Sequence, residues 1–169
     1  DPIWSGGQGR REFYTENNGW NYTWYVPHDV EGLIGLMGGR EKFTDKLQTM
    51  FETNVPLYQK YDFLKQYPDM TGWIGMYSHG NEITGHIPYL YNYAGQPWMT
   101  QRRVRQIMDV WYGDGPLGYC GDEDYGEMAS WYVLSAMGFY TVAPGRPVYD
   151  IGCPLFEKST IDLGGGKTF

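Results

Sequence analysis

Three consecutive carboxylates, Asp122, Glu123 and Asp124, stand between Gly121 and Gly126, directly ahead of an apolar, aromatic stretch from Met128 to Tyr140. Carboxylates held that close repel one another, so at least one should retain its proton to higher pH wherever the cluster is partly buried. An acid and a base with separated pKa values are what water-dependent bond cleavage needs. The glycines allow the backbone to turn tightly and bring the carboxylates close to a ligand. The competing reading is a helix N-terminus, where acidic residues complement the dipole.

Two further loops collect polar residues. The first is Glu16-Asn17-Asn18-Gly19-Trp20, followed by Pro27-His28-Asp29. A carboxyl beside an indole is in a setting that suits a general acid. An Asn-rich loop with an exposed Glu is the plainer alternative. The second loop is Tyr77-Ser78-His79-Gly80-Asn81-Glu82, with His86 four residues on. His79, Glu82 and His86 suggest a metal, but the probable loop-to-helix junction between the two histidines argues against zinc. Asn81 and Glu82 offer hard oxygen donors suited to calcium. Alternatively, Asn81 and Glu82 cap a helix while His86 packs inside. Ser78 has no nucleophile-elbow context, and Gly164-Gly165-Gly166-Lys167-Thr168 lacks the spacing of a phosphate loop.

These loops need elements to hold them, and helical signals dominate. Val30–Met37 is apolar at helical spacing, with Asp29 as its N-cap and Gly38-Gly39 at its end. Glu41–Phe51 places Phe43, Leu47, Met50 and Phe51 on one face. Ile87–Tyr93 opens near Pro88, Arg102–Trp111 follows Thr100 as N-cap, and Gly126–Met137 is closed by Gly138. Five such segments predict a mostly α assembly. Gly145–Phe156 and Ser159–Phe169 read as short strands and turns. Ser159–Leu163 has no evident pairing partner in the sequence, which points to a chain cut from something longer.

The chain has 169 residues, with 13 Lys and Arg against 20 Asp and Glu, a net charge of −7. That balance, without a basic run, disfavours nucleic acid. No apolar stretch reaches the ~18 residues a membrane span requires. Aromatics are the outlier: 7 Trp, 16 Tyr and 7 Phe make 18% of the chain. Tyr and Trp join a flat apolar face to a polar edge, which suits the faces and rims of sugar rings. Cys120 and Cys153 show no CxxC spacing and are expected to be free thiols.

Taken together, these loops resemble one family. Glu16-Asn-Asn-Gly-Trp20 with Tyr25-Val-Pro-His-Asp29, and His79-Gly-Asn-Glu82 with His86-Ile-Pro-Tyr-Leu-Tyr-Asn-Tyr-Ala-Gly95, look like the central part of the calcium-dependent α-mannosidases of glycoside hydrolase family 92. Gly121-Asp-Glu-Asp124 with Ser130-Trp-Tyr-Val133 and Ala136-Met-Gly-Phe-Tyr140 completes the match, in the family's order along nearly the whole chain.

The resemblance implies part of an (α/α)6 barrel, or toroid, in residues 1–145, and the start of a closing β-structure in residues 146–169. It implies removal of terminal α-linked mannose (α-1,2 by first preference) from glycans with inversion, assisted by Ca2+. Glu16 would be the general acid, and Asp122 with Asp124 would activate water, Asp124 being the first choice as base. Trp20, His28, His79 and His86 would contact the sugar, and Asn81 and Glu82 would lie at the metal. The rest of a longer enzyme would complete the site, the isolated piece being inactive, and the location would be secreted or periplasmic. Two other readings stand beside this one. One is a different (α/α)-barrel glycosidase of the trehalase type; the other is a non-catalytic helical module that binds sugar.

Overall fold

A computed structural model describes residues 14–54, 71–121 and 123–169. Asp122 lies outside these. The described elements are α1 (Gly19–Tyr22), α2 (Val30–Leu36), α3 (Arg40–Glu52), the hairpin β1 (Trp73–Ile74) and β2 (Tyr77–Ser78), and α4 (Leu90–Tyr93). After them come α5 (Pro97–Trp111), α6 (Glu127–Met137), β3 (Phe139–Tyr140), β4 (Asp150–Ile151), β5 (Asp162–Gly164) and β6 (Lys167–Thr168). Helices thus dominate the described residues, as expected.

Asp29 caps α2, its Oδ1 accepting from the Gly32 amide at 3.0 Å. Gly138 ends α6 in the left-handed region at φ 101°, a conformation glycine adopts without a Cβ penalty. Helix α5 departs from expectation. It starts at Pro97, three residues before Thr100, because a proline at the first helical position loses no hydrogen bond there. Thr100 is consequently inside the helix and buried. The segment opened by Pro88 begins as a 3-10 turn, Ile87–Tyr89, before continuing as α4. Strand β5 also differs from expectation: the chain turns back through three glycines and pairs β5 antiparallel with β6, Asp162 opposite Thr168. Strands β3 and β4 pair likewise, Tyr140 opposite Asp150.

The core lies between α3, α4, α5 and the β1–β2 hairpin. Trp24, Phe43, Leu47, Met50, Tyr77, Tyr89, Tyr91 and Ile107 are fully buried there. Trp24 meets Phe43 edge-on at 5.2 Å, and Arg103 lies over the Phe51 ring at 4.8 Å. Arg103, on α5, is itself 4% exposed. An open apolar groove runs between the end of α6 and the β5–β6 hairpin, lined by Leu134, Phe139, Ile151 and Leu163 among others. Among the described residues no helix is long and apolar enough to cross a membrane.

Candidate active site

The loop before α1 is stitched to the loop after β2 by three wholly buried asparagines. Asn18 caps α1, its Oδ1 accepting from the Trp20 amide at 3.1 Å. Asn21 donates from Nδ2 to the Met76 carbonyl at 3.1 Å and accepts at Oδ1 from the Ser78 amide at 3.2 Å. An amide side chain thereby stands in for a strand, satisfying backbone groups of the hairpin. Asn17 donates from Nδ2 to Asn81 Oδ1 at 3.2 Å. Asn81 Nδ2 in turn reaches two carboxylates, Glu82 Oε2 at 2.8 Å and Glu16 Oε2 at 3.3 Å.

The acidic run arrives at the same place by a backbone contact. A Cβ built on Gly121 would lie 2.3 Å from the Gly80 carbonyl oxygen and 2.4 Å from its Cα. One built on Gly80 would lie 2.7 Å from the Gly121 Cα. The two main chains pack with no room for a side chain, which brings the backbone at Gly121 against that at Gly80, one residue before Asn81. Glu82 shares a hydrogen bond with Asp124. Burial first, then that hydrogen bond and the nearby charges of Asp124 and Glu16, raise the Glu82 pKa to about 7. A protonated Glu82 can donate to Asp124. The proton-holding carboxyl here belongs to the second loop. Glu127, the first residue of α6, is also raised, by burial and by Asp124 and Glu123.

Backbone strain marks the same residues. Among the described residues, the non-glycines at positive φ are Glu16 at 60°, Asp124 at 44° and Tyr125 at 57°. Left-handed backbone costs a non-glycine residue about 1–3 kcal/mol and persists where the surroundings over-determine it, typically at functional sites. The two carboxylates expected to act as acid and base are both among these three.

The remaining expected site residues are placed differently. Glu123 caps α6: its Oε1 accepts from the Ala129 amide at 3.0 Å and its Oε2 from the Gly126 amide. For this member of the run, the helix-terminus reading holds. Trp20 is half-buried, with Lys46 Nζ 6.0 Å from its ring. His28 is exposed, and its carbonyl accepts from Arg146 Nη2 at 2.7 Å. His79, expected at the sugar, lies in the interior with both ring nitrogens engaged, Nδ1 by the Tyr77 hydroxyl at 2.7 Å and Nε2 by that of Tyr112 at 2.8 Å. Burial lowers its pKa to about 3, so the ring is neutral. His86 is buried too, with Nε2 on the Trp24 carbonyl at 2.8 Å. Neither histidine leaves Nε2 free for a ligand, because the aromatic-rich interior supplies partners first. Asn17 and Asn21 went unrecognised in the sequence; their signal is three asparagines within five residues around a glycine.

No three Asp, Glu, His or Cys side chains among the described residues are gathered closely enough to hold a metal ion by themselves. The donors present at the Glu16–Asn81–Glu82–Asp124 cluster are all hard oxygens apart from one amide nitrogen, a chemistry that fits calcium rather than zinc.

Residues 2–169 match the family model described as the glycosyl hydrolase family 92 catalytic domain. The chain belongs to that family. Two solved family 92 enzymes, both from Bacteroides thetaiotaomicron, superpose on it. One, an alpha-mannosidase in complex with mannoimidazole, is 36% identical with a TM-score of 0.83, over 99% of this chain and 22% of that one. The other, an inverting mannosidase, is 48% identical with a TM-score of 0.74, over 91% of this chain and 21% of that one. An uncharacterized secreted glycosidase of Arthroderma benhamiae is 32% identical over 146 residues, 86% of this chain and 16% of that protein. The chain thus spans about a fifth of the length of its solved family 92 relatives.

Proposed function

We propose that this chain is the carboxylate-bearing part of an exo-α-mannosidase that releases terminal α-linked mannose, α-1,2 by first preference, from glycans with inversion. The observation that carries the reading is the convergence of Glu16 and Asp124, both in left-handed backbone, on the Asn81–Glu82 loop in a family 92 chain. Glu16 acts as the general acid on the leaving oxygen. Asp124, together with Asp122, takes the proton of the attacking water. Inversion asks for acid and base carboxyls about 6.5–9.5 Å apart, with the water between. Glu82 supports this reading by lying between the two, in hydrogen-bond reach of Asp124 and near the charge of Glu16.

Asn81 and Glu82 would hold calcium together with sugar hydroxyls, and the ion when bound would supply positive charge at the ring. The remaining walls of the site, and the rest of an (α/α)6 toroid, come from the longer enzyme, secreted or periplasmic, a location that the secreted glycosidase of Arthroderma benhamiae supports. Turnover of an aryl α-mannoside by the full-length enzyme tests the reading. Glu16→Gln should lower kcat by about 10²–10⁴-fold, the usual contribution of a general acid. Full retention of hydrolysis in that variant refutes the assignment, and preference for an aryl α-glucoside would favour the trehalase-type reading. Binding of mannosides without turnover in the parent would favour the sugar-binding module.

A further inference from the structure

The loop that carries Glu82 is joined to the start of α6 by a buried chain of side chains that the proposed chemistry does not use. The Tyr77 hydroxyl meets His79 Nδ1 at 2.7 Å, His79 Nε2 meets the Tyr112 hydroxyl at 2.8 Å, and the Tyr112 hydroxyl donates to the Met128 carbonyl at 3.2 Å. A neutral imidazole has one donor and one acceptor nitrogen, so the chain runs in one direction. Tyr77 donates to Nδ1, Nε2–H donates to Tyr112, and Tyr112 donates to Met128. The reverse direction would end on the Thr84 carbonyl at 3.4 Å, the longer of the two terminal bonds.

The imidazole is gripped as well as bonded. Trp131 meets it edge-on at 4.3 Å, and Tyr112 stacks on Trp131 at 5.8 Å and on Tyr132 at 4.7 Å. Trp131 Nε1 donates to the Gly85 carbonyl at 2.8 Å, so α6 holds the Glu82 loop a second time, beyond Glu82. His79 precedes Glu82 by three residues, and Met128 follows Asp124 by four. The chain therefore ties a buried point three residues before Glu82 to a point four residues after Asp124.

We infer that His79 is a positioning residue: with Tyr77 and Tyr112 it forms a brace that fixes how far the Asn81–Glu82 loop stands from Asp124, and so the alignment of the hydrolytic carboxyls. The inference rests on the reading of those carboxyls as the catalytic centre. It assigns His79 no contact with sugar. Loss of the brace therefore lowers turnover while leaving substrate binding in place, since displacements of about 1 Å cost on the order of 10²-fold in rate.

The test uses the full-length enzyme and three variants. Tyr112→Phe deletes one hydroxyl and keeps the stacked ring. His79→Phe removes both hydrogen bonds, and His79→Gln keeps one donor and one acceptor. The brace predicts kcat lower by about 10–100-fold in the two Phe variants, KM unchanged, and most of kcat restored in His79→Gln. It also predicts faster amide exchange in segments 77–86 and 119–130, a readout that needs no turnover. If the parent enzyme hydrolyses no α-mannoside, the functional reading fails, and amide exchange still decides whether the brace exists. A raised KM with unchanged kcat would show a sugar contact and overturn the inference. Lower thermal stability with parental kcat and parental exchange would overturn it as well. Should His79→Phe not fold, Tyr112→Phe carries the test alone.

Discussion

Replacing Gly121 with alanine probes the contact that brings the acidic run to the Asn81–Glu82 loop. Gly121 has φ 76°, and its added Cβ would stand 2.3–2.6 Å from three backbone atoms of Gly80. Carbon atoms rest about 3.5–4.0 Å apart, so one main chain must retreat by roughly 1 Å. Left-handed backbone costs the alanine about 1–3 kcal/mol, and overpacking adds about 1–3 kcal/mol. The variant should thus lose about 2–6 kcal/mol of stability and about 10²-fold in kcat. Gly80→Ala separates the two effects, because Gly80 is outside the positive-φ set and yet would clash with Gly121 from the other side. Gly113→Ala is the control, as its Cβ would meet nothing within 4 Å. Thermal melting and turnover of an aryl α-mannoside by the full-length enzyme provide the assay. A Gly121→Ala enzyme indistinguishable from Gly113→Ala in both measurements would refute the idea that this contact sets the site.

Asn21→Leu should cost about 2–5 kcal/mol, since it leaves the Met76 carbonyl and the Ser78 amide buried without partners; a melting temperature equal to the parent's would count against the stitched-loop account. Glu123→Ala should cost about 0.5–2 kcal/mol, the worth of a helix N-cap, with kcat largely kept; a loss of turnover as deep as that of Glu16→Gln would instead make Glu123 chemical. Burial lowers the His86 pKa from 6.5, so the stability it confers as a neutral ring is present above pH 6.5 and is lost as pH falls below that. His86→Gln should flatten the acid limb of the stability profile by at most about 1.4 kcal/mol per pH unit; superimposable acid limbs in the two proteins would rule this out.

Helix positions were largely legible in the sequence because periodicity and punctuation agreed. Asp29 and Gly38 bracket α2, and Gly138 stops α6, each by a local rule that needs no tertiary contact. Thr100 misled because a side-chain cap was weighed above Pro97, whose ring sets the first turn. The β1–β2 hairpin escaped notice since two-residue strands are too short to show alternation, and its amide partner, Asn21, lies 57 residues before Ser78. The partner of β5 was missed because β6, Lys167–Thr168, is only two residues long and shows no alternation. At the site, Glu16 and the acidic run were visible by type and motif. Their convergence was expected only through the family resemblance, because physically it depends on two glycines meeting backbone to backbone and on amides bridging distant loops. For the histidines, residue type suggested ligands, whereas the structure engages both ring nitrogens of His79 with the hydroxyls of Tyr77 and Tyr112.

The link from the acid's loop to the carboxyl cluster runs through Asn17, Asn21 and Asn81, groups that carry no net charge and do not titrate in water's ordinary range. Dissolved ions that weaken charge pairs have little hold on such a frame. Swings in acidity or salinity would then reach the clustered carboxyls themselves, while the scaffold that holds them stays put.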